Sequence, residues 1–220
     1  MKKIIIAAIV MMACLFGLSA QEETESVSSG SGFSSFIDFT NFGGPVESNS
    51  IIVDAAIAID NGTFHTLGYY IPRITLSGEY AIQLGPCPFG FGLEIDYMSN
   101  RTNDFYDANG YHGNRLMQYH NNLYFALIVD YHVNLPALED FDFYLGPRLG
   151  LRLDIIYQED YHFDTLTGQW PTTKSYVTKP HFYGGGVIGA TWYLGDMLGI
   201  NAEVGFPVLV RLGATIKFKL

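Results

Sequence analysis

Charged side chains of both signs alternate with apolar ones along several segments of this 220-residue chain. Residues 141–157 are the clearest example, because Arg148, Arg152 and Asp154 lie between leucines and isoleucines. Arginine can hold a carboxylate through two parallel hydrogen bonds, so charges brought together in this way can pair or, in a pore, select ions. We predict a paired, structural cluster with these members: Arg73, Glu79, Glu94, Asp96, Arg148, Arg152, Asp154, Glu203 and Arg211.

Other combinations of reactive residues do not match a known catalytic or metal site. The nucleophile-elbow pattern G-x-S-x-G is absent. Residues 107–110 resemble part of a calcium loop, but a phenylalanine and a leucine hold its first and last ligand positions. His162, Asp164 and His181 could bind a metal only if folding brought them together. We therefore predict no catalytic residue, no metal and no cofactor.

Apolar and polar residues alternate with a period of two in eight segments, which is typical of β-strands with one apolar face. The last twelve residues show the pattern most simply, with Val210, Leu212 and Ile216 on one face and Arg211 and Lys217 on the other. The predicted strands cover residues 51–59, 69–84, 89–99, 115–134, 141–157, 180–194, 197–206 and 209–220.

The predicted connections alternate in length along the chain. Residues 85–88, 135–140 and 195–196 form short turns, whereas 61–68, 100–114 and 158–179 form long polar loops. The last hairpin, at Pro207, is a short exception. Short turns on one side and long loops on the other are typical of membrane β-barrels with an even number of strands.

The N-terminus has the features of a secretory signal. Lys2 and Lys3 precede an apolar run at residues 4–18, and Ala20 is a suitable cleavage position. The run is shorter than the roughly 20 residues that a membrane helix needs. Lipidation of Cys14 is a second interpretation, weakened because the apolar run continues past it. Cleavage after Ala20 leaves Cys87 as the single cysteine, so no internal disulfide can form.

The mature chain is acidic. Removing the two lysines changes the formal charge from −10 to −12, which disfavours nucleic acid as a partner. An exported chain that is 48% hydrophobic and has no further spanning helix is either a β-sandwich or a membrane barrel. The apolar faces of nearly all strands favour the barrel, with the charges inside. Aromatic residues near the strand ends would form its interfacial girdles: Tyr119, Tyr131, Phe143, Tyr157, Phe182 and Trp192.

The pattern and topology of residues 51–220 resemble the OmpA/OmpX-like group of eight-stranded outer-membrane barrels, with the OmpW family as a near relative in architecture. The C-terminal strand resembles the one by which such barrels are recognised and closed, although it ends on Leu220 and not on an aromatic residue. The resemblance implies an all-β, eight-stranded antiparallel up-and-down transmembrane β-barrel in the outer membrane. Both termini would be periplasmic. Outer-membrane lipid and the barrel-assembly machinery would be its partners.

Residues 1–20 are therefore predicted to be a signal peptide, 21–50 a partly disordered periplasmic leader, and 51–220 the barrel. The leader carries Phe33, Phe36, Phe39 and Phe42, which would either cover a barrel mouth or form an extra strand.

We predict a structural or surface-interaction role, with host or envelope ligands at the outer loops, and no enzymatic activity. The alternative is a narrow channel or an OmpW-like route for small apolar molecules. A lipid-modifying enzyme comes third, because the deacylase type resembles a His-x-Ser pair and none of the six histidines is followed by serine two places on.

Overall fold

The computed structural model describes residues 37–60, 70–108 and 111–220. The predicted signal peptide, the first part of the predicted leader and the predicted connection at 61–68 lie outside these ranges.

Eight antiparallel strands close into one barrel in which each strand pairs with the next and β8 pairs with β1. Closure removes the open sheet edges that would otherwise leave backbone groups unpaired in lipid. The predicted fold class is confirmed. The strands are β1 (Ser50–Asp60), β2 (Tyr70–Leu84), β3 (Cys87–Ala108), β4 (Tyr111–Val133), β5 (Phe141–Tyr161), β6 (Thr172–Tyr193), β7 (Leu198–Phe206) and β8 (Val208–Lys219).

The barrel is apolar outside and polar inside. On β8, Leu212 is 60% exposed while its neighbour Arg211 is 3% exposed, which is the reverse of a water-soluble protein. The same inversion occurs on the other strands, where Leu93, Leu127 and Leu149 are exposed. A continuous apolar belt of this kind is stable only against lipid, so the barrel spans a membrane. Within the described ranges, no helix is long and apolar enough to cross a membrane.

Two strand pairs are longer than the sequence predicted. β3 and β4 continue as a paired hairpin through residues 100–108 and 111–114, which were predicted to be a loop. β5 and β6 likewise take up most of the predicted loop 158–179, leaving residues 162–171 as the connection. Beyond the lipid both faces of a strand meet water, so its side chains lose the alternation while the backbone hydrogen bonds continue.

The barrel therefore has two unlike ends. The short-turn end holds the β2–β3, β4–β5 and β6–β7 connections and Leu220. The hairpin end holds the extended β3–β4 and β5–β6 hairpins.

Residues 37–49, which we call the strap, cross the short-turn end. Asp38 exchanges two backbone hydrogen bonds with Asn134 at one side, and Asn49 donates to the carbonyl of Ala81 at the other. Lys217 donates to the carbonyl of Pro45 between them.

The strap is packed as well as hydrogen-bonded. Phe42 and Val46 are buried with Ile52, Ala81 and Tyr193. Apart from the one bridge at Asp38, the described strap forms no strand. The sequence left two possibilities open for the phenylalanines of the leader, which were to cover a barrel mouth or to form an extra strand. One of them, Phe42, covers a barrel mouth.

We expect Phe42→Ala to lower the free energy of unfolding by about 3 kcal/mol, because it removes a buried aromatic ring and leaves a cavity. Phe39→Ala is the matched control, since Phe39 lies three residues away and is 47% exposed. Urea unfolding in detergent micelles, followed by tryptophan fluorescence, measures both. Similar losses in the two variants would contradict the packing described for the strap.

Candidate functional site

Arg148 lies at the centre of the charges inside the barrel. Its Nη1 and Nη2 donate to the two carboxylate oxygens of Asp130 at 2.5 and 2.8 Å, and its guanidinium also lies within 4 Å of Glu94 and Glu203. The side chain is almost fully buried. Such a charge is stable in the interior only when its partners are also present.

Two further arginines extend the same network. Arg211 donates to Glu94 at 2.8 Å and lies 3.1 Å from Glu203. Arg73 binds Asp96 and stacks over the ring of Tyr124, 3.9 Å from its centroid. Three guanidinium groups thus share the carboxylates of Glu94, Asp96, Asp130 and Glu203, and we call this set the arginine cluster.

A histidine layer lies between the arginine cluster and the strap. His132 Nδ1 is 2.9 Å from Asp142 Oδ2, and its Nε2 is 2.8 Å from Glu79 Oε1. A carboxylate at each ring nitrogen suits an imidazolium ion. Phe42 of the strap packs against this ring at 5.0 Å between centroids.

Glycines opposite the large side chains make room for this network. A Cβ at Gly90 would lie 1.9 Å from the Glu79 carboxylate, and one at Gly189 would lie 2.4 Å from the Tyr144 ring. Tyr144 in turn donates to Glu203 at 2.9 Å. The bore of an eight-stranded barrel is just wide enough for such side chains to fill it.

The lumen is consequently closed at this level. The cavity among Asp130, Tyr144, Glu203 and their neighbours has a volume of about 10 Å³, which is room for about one water molecule.

The structure places most of the predicted charged set in these two layers. Arg73, Glu94, Asp96, Arg148, Glu203 and Arg211 belong to the arginine cluster, and Glu79 belongs to the histidine layer. Arg152 and Asp154 do not join them, because they lie four and six residues beyond Arg148 toward the hairpin end, where water reaches the lumen. The two residues pair with each other, and not with the members of the two buried layers.

The predicted set also omitted several polar residues of the barrel interior. Asp130 and His132 alternate with the apolar residues of β4, so the period of two already places them on the polar face. Asp54 accepts hydrogen bonds from Asn201 at 2.7 Å and from Thr215 at 2.5 Å. Asp142 is the residue whose position on the polar face is least evident from the sequence, since it is flanked by Phe141 and Phe143 next to a turn.

Arg152 and Asp154 form a second cluster at the hairpin end. Arg152 Nε and Nη2 lie 2.7 and 2.9 Å from the Asp154 carboxylate, and His181 Nε2 lies 3.1 Å from it. The side chains of Arg152 and His181 are 39% and 46% exposed. These charges are therefore partly exposed, unlike those of the sealed interior.

The metal hypothesis is not supported among the residues that the structure describes. Asp164 accepts hydrogen bonds from Leu166 and Thr167 of its own turn, while His181 contacts Asp154. Within those ranges, no three or more His, Cys, Asp or Glu side chains are grouped as metal ligands would be.

The outer face of the β5–β6 hairpin carries a row of tyrosines. The rings of Tyr119, Tyr157 and Tyr176 lie on three adjacent strands, with centroids 5.6 and 4.6 Å apart. Glu159, two residues beyond Tyr157 on the same face, binds the hydroxyls of Tyr157 and Tyr161 and the ammonium of Lys174. Together these contacts lower the pKa of Glu159 to about 2.

Comparisons with known proteins give no family assignment. No family model and no curated protein matches the chain. Solved structures that align with it include the N-terminal β-barrel domain of Pseudomonas aeruginosa OprF (13% identity, 78% of this chain and 98% of that chain, TM-score 0.35). The attachment invasion locus protein Ail of Yersinia pestis is 13% identical over 77% and 95% of the two chains, with a TM-score of 0.37. Neisserial surface protein A is 15% identical over 78% and 95%, with a TM-score of 0.31.

Structural similarities at such low sequence identity and TM-score give no information about function. The likeness to the OmpA/OmpX-like group therefore holds at the level of architecture, and it rests on the closed ring of eight strands and on its apolar exterior.

We expect Arg148→Ala to lower the free energy of unfolding by ~3–5 kcal/mol, because it leaves buried carboxylates unpaired. Arg152→Ala should cost less than about 1 kcal/mol, since its ion pair is partly exposed and screened by water. Urea unfolding of the two variants in the same detergent tests this. If Arg152→Ala were as damaging as Arg148→Ala, the separation of the two clusters would be wrong.

We also expect the outer part of the β5–β6 hairpin to loosen in acid. The folded pKa of Glu159 is lowered from its ordinary value of 4.5, so its stabilising effect is complete above that value and is lost as the pH falls toward 2. Amide hydrogen-exchange protection factors for Tyr157 and Lys174 should fall over this pH range in the wild type and stay level in Glu159→Gln. A parallel fall in both proteins would contradict this role of Glu159.

Proposed function

We propose that this protein is an outer-membrane barrel with a structural and surface-interaction role, whose hairpin end faces outward and whose termini are periplasmic. It is not an enzyme and needs no cofactor. Its partners are outer-membrane lipid along the apolar belt, the barrel-assembly machinery through β8, and host or envelope ligands at the hairpin end. Nucleic acid is disfavoured by the net charge of −10.

The closed lumen is the observation that carries this proposal. The arginine cluster fills the bore at mid-height, and the strap covers the short-turn end below it. A channel or a route for apolar molecules needs a continuous path lined by small or apolar residues. Three buried guanidinium groups and their carboxylates are the opposite of such a lining.

A sheet that projects beyond the lipid gives the protein a surface at which ligands could bind. An apolar band ~25 Å tall takes about 11 residues of a tilted strand, whereas β3, β4, β5 and β6 have between 21 and 23 residues each. The four strands therefore extend well beyond the lipid as one sheet. Every residue of β6 from Thr172 to Phe182 is exposed.

The faces of this sheet are better suited to binding than its edge. β7 pairs with β6 only from Gly186 to Tyr193, so within the described chain residues 172–185 have no strand on that side. Lys174, Lys179 and Pro180 lie along this edge. Lysine and proline are the residues by which proteins prevent an open edge from pairing with another strand.

Conductance distinguishes this proposal from transport. In a planar lipid bilayer the wild-type protein should give no large, stable conductance steps, because the bore is filled at mid-height. The control variant is Leu166→Ala, in the exposed connection of the β5–β6 hairpin, which should behave as the wild type does. Large, stable conductance steps from the wild-type protein would contradict this proposal and support the transport hypothesis.

Surface labelling tests the location and the orientation. A tag inserted after Gly168, in the β5–β6 connection, should be labelled on intact cells, and one after Asp196, in the β6–β7 turn, should be labelled only after the cells are opened. The untagged protein should fractionate with the outer membrane. The reverse labelling pattern would invert the proposed topology.

A further inference from the structure

The outer face of the barrel carries cations at one end only. Alternation turns every second side chain of a strand outward, and the outward lysines and arginines of the described strands are Arg101, Arg115 and Lys174. All three belong to the hairpin end. At the short-turn end, Lys217 and Lys219 lie on the other face of β8 and bind the strap. The lipid leaflet at the hairpin end therefore meets a cationic surface that the other leaflet does not.

Arg101 and Arg115 have no carboxylate partner among the described side chains. Each lies over a tyrosine ring instead, with its guanidinium carbon 5.1 Å from the centroid of Tyr119 and 4.8 Å from that of Tyr161, respectively. Arg101 Nη2 also donates to the sulfur of Met117 at 3.5 Å, which is a weak acceptor. A ring under a guanidinium leaves the in-plane N–H groups to bind a ligand, and both arginines are partly exposed.

The register of β3 and β4 gives the height of Arg101 relative to the lipid. Phe89 pairs with Tyr131 beside the short turns, and their rings are 5.3 Å apart. Arg101 pairs with Tyr119 twelve residues farther along the same two strands. An apolar band ~25 Å tall takes about 11 residues of a tilted strand. The two residue pairs therefore lie at opposite boundaries of the band, and Arg101 is level with the lipid headgroups at the hairpin end.

Arg115 has the same surroundings at a different height. It lies four residues beyond Tyr119 on β4, which is about 9 Å farther from the band at roughly 2.3 Å of height per residue. The headgroup layer on each side of a bilayer is only about 5–8 Å thick. Arg115 therefore lies beyond the lipid phosphates, whereas Arg101 is within their reach.

We propose that Arg101 binds the phosphate group of a lipid in the leaflet at the hairpin end. Its guanidinium donates two parallel hydrogen bonds to the phosphate oxygens, and Tyr119 holds the guanidinium in place. The acyl chains lie on Ile95 and Phe125, which are exposed on the belt six residues below on the same two strands.

Continuity with the apolar belt favours a lipid over dissolved phosphate. Both would meet the same guanidinium, but only a lipid also buries apolar surface against the belt below it. The inference rests on the proposed function for one point, which is that the leaflet at the hairpin end is the outer one.

Electron paramagnetic resonance of spin-labelled lipids tests the inference, with the full chain reconstituted in phosphatidylcholine vesicles. The spectra measure which fraction of a labelled lipid is held at the protein surface. Phosphatidic acid is the probe because its phosphate is uncovered, and labelled phosphatidylcholine, which carries a choline cation on its phosphate, is the reference. The wild-type protein should hold phosphatidic acid more strongly than phosphatidylcholine by about threefold or more.

Arg115 supplies the matched control, since it is the same residue type over the same kind of ring on the same outer face. Arg101→Gln should remove most of the preference for phosphatidic acid, while Arg115→Gln should change it by less than about 1.5-fold. Arg101→Lys keeps the charge and should keep more than half of the preference. Circular dichroism and gel mobility before and after boiling should show that all variants are folded.

Three outcomes would overturn the inference. The wild-type protein could show no preference for phosphatidic acid. Arg115→Gln could remove as much of the preference as Arg101→Gln, which would indicate general attraction of anions to the hairpin end. An excess of inorganic phosphate could abolish the preference, which would indicate a site for dissolved phosphate.

These outcomes are separate from the tests of the proposed function. If any of them occurs while Gly168 is labelled on intact cells and the barrel does not conduct, the lipid site fails and the proposed function stands. If the preference depends on Arg101 but Asp196 is labelled in place of Gly168, the lipid site stands in the other leaflet and the proposed orientation fails.

Discussion

The pairing of three arginines with four carboxylates inside a closed ring of strands is the interaction on which the rest of the structure depends. An eight-stranded barrel has no second layer to pack against, so its interior must be filled by its own inward side chains. Their outward neighbours must be apolar because they meet lipid. Alternation therefore forces polar groups inward, and burial then requires that each charge have its partner. Arg148, between Asp130, Glu94 and Glu203, shows how fully the structure meets this requirement.

The same requirement explains how buried and exposed charges are distributed along the barrel axis. Where the ring is complete, at mid-height, charges are paired, buried and unavailable to a ligand. Below it the strap adds Phe42 beneath His132, so the histidine layer is held between an apolar plug and the arginine cluster. Above it the ring is incomplete, because β7 and β8 are short while four strands continue. Arg152 and His181 at this end are therefore partly exposed.

Arg152 and Arg148 illustrate this difference, since they lie four residues apart on one face of one strand. Arg148 is buried among three carboxylates, whereas Arg152 has a single carboxylate partner and is 39% exposed. The chemistry of the side chains is the same. Their height relative to the completed ring decides whether the guanidinium is sealed in the interior or reached by solvent.

The sequence by itself determined the fold class, the number of strands and which residues face inward. A period of two is a local property of the sequence. Shifting the register of a strand by one residue would turn every side chain to the wrong face, so alternation fixes the face of each residue. Arg73, Glu94 and Arg211 could be assigned to the interior for this reason alone, and Asp130 and His132 carried the same signal. The short turns were equally visible, because proline and glycine mark them directly.

Tertiary structure alone decided the lengths of the outer hairpins, the path of the strap and the division of the charges into separate clusters. Alternation disappears where water covers both faces of a strand, so the sequence cannot mark where the β5–β6 hairpin ends. The strap is held by backbone carbonyls, such as that of Pro45 bound by Lys217, which have no sequence signature. Pairing among the charges depends on strand tilt and register around a closed ring, which bring Arg211 of β8 to Glu94 of β3. No local sequence pattern shows that these two residues are close in space.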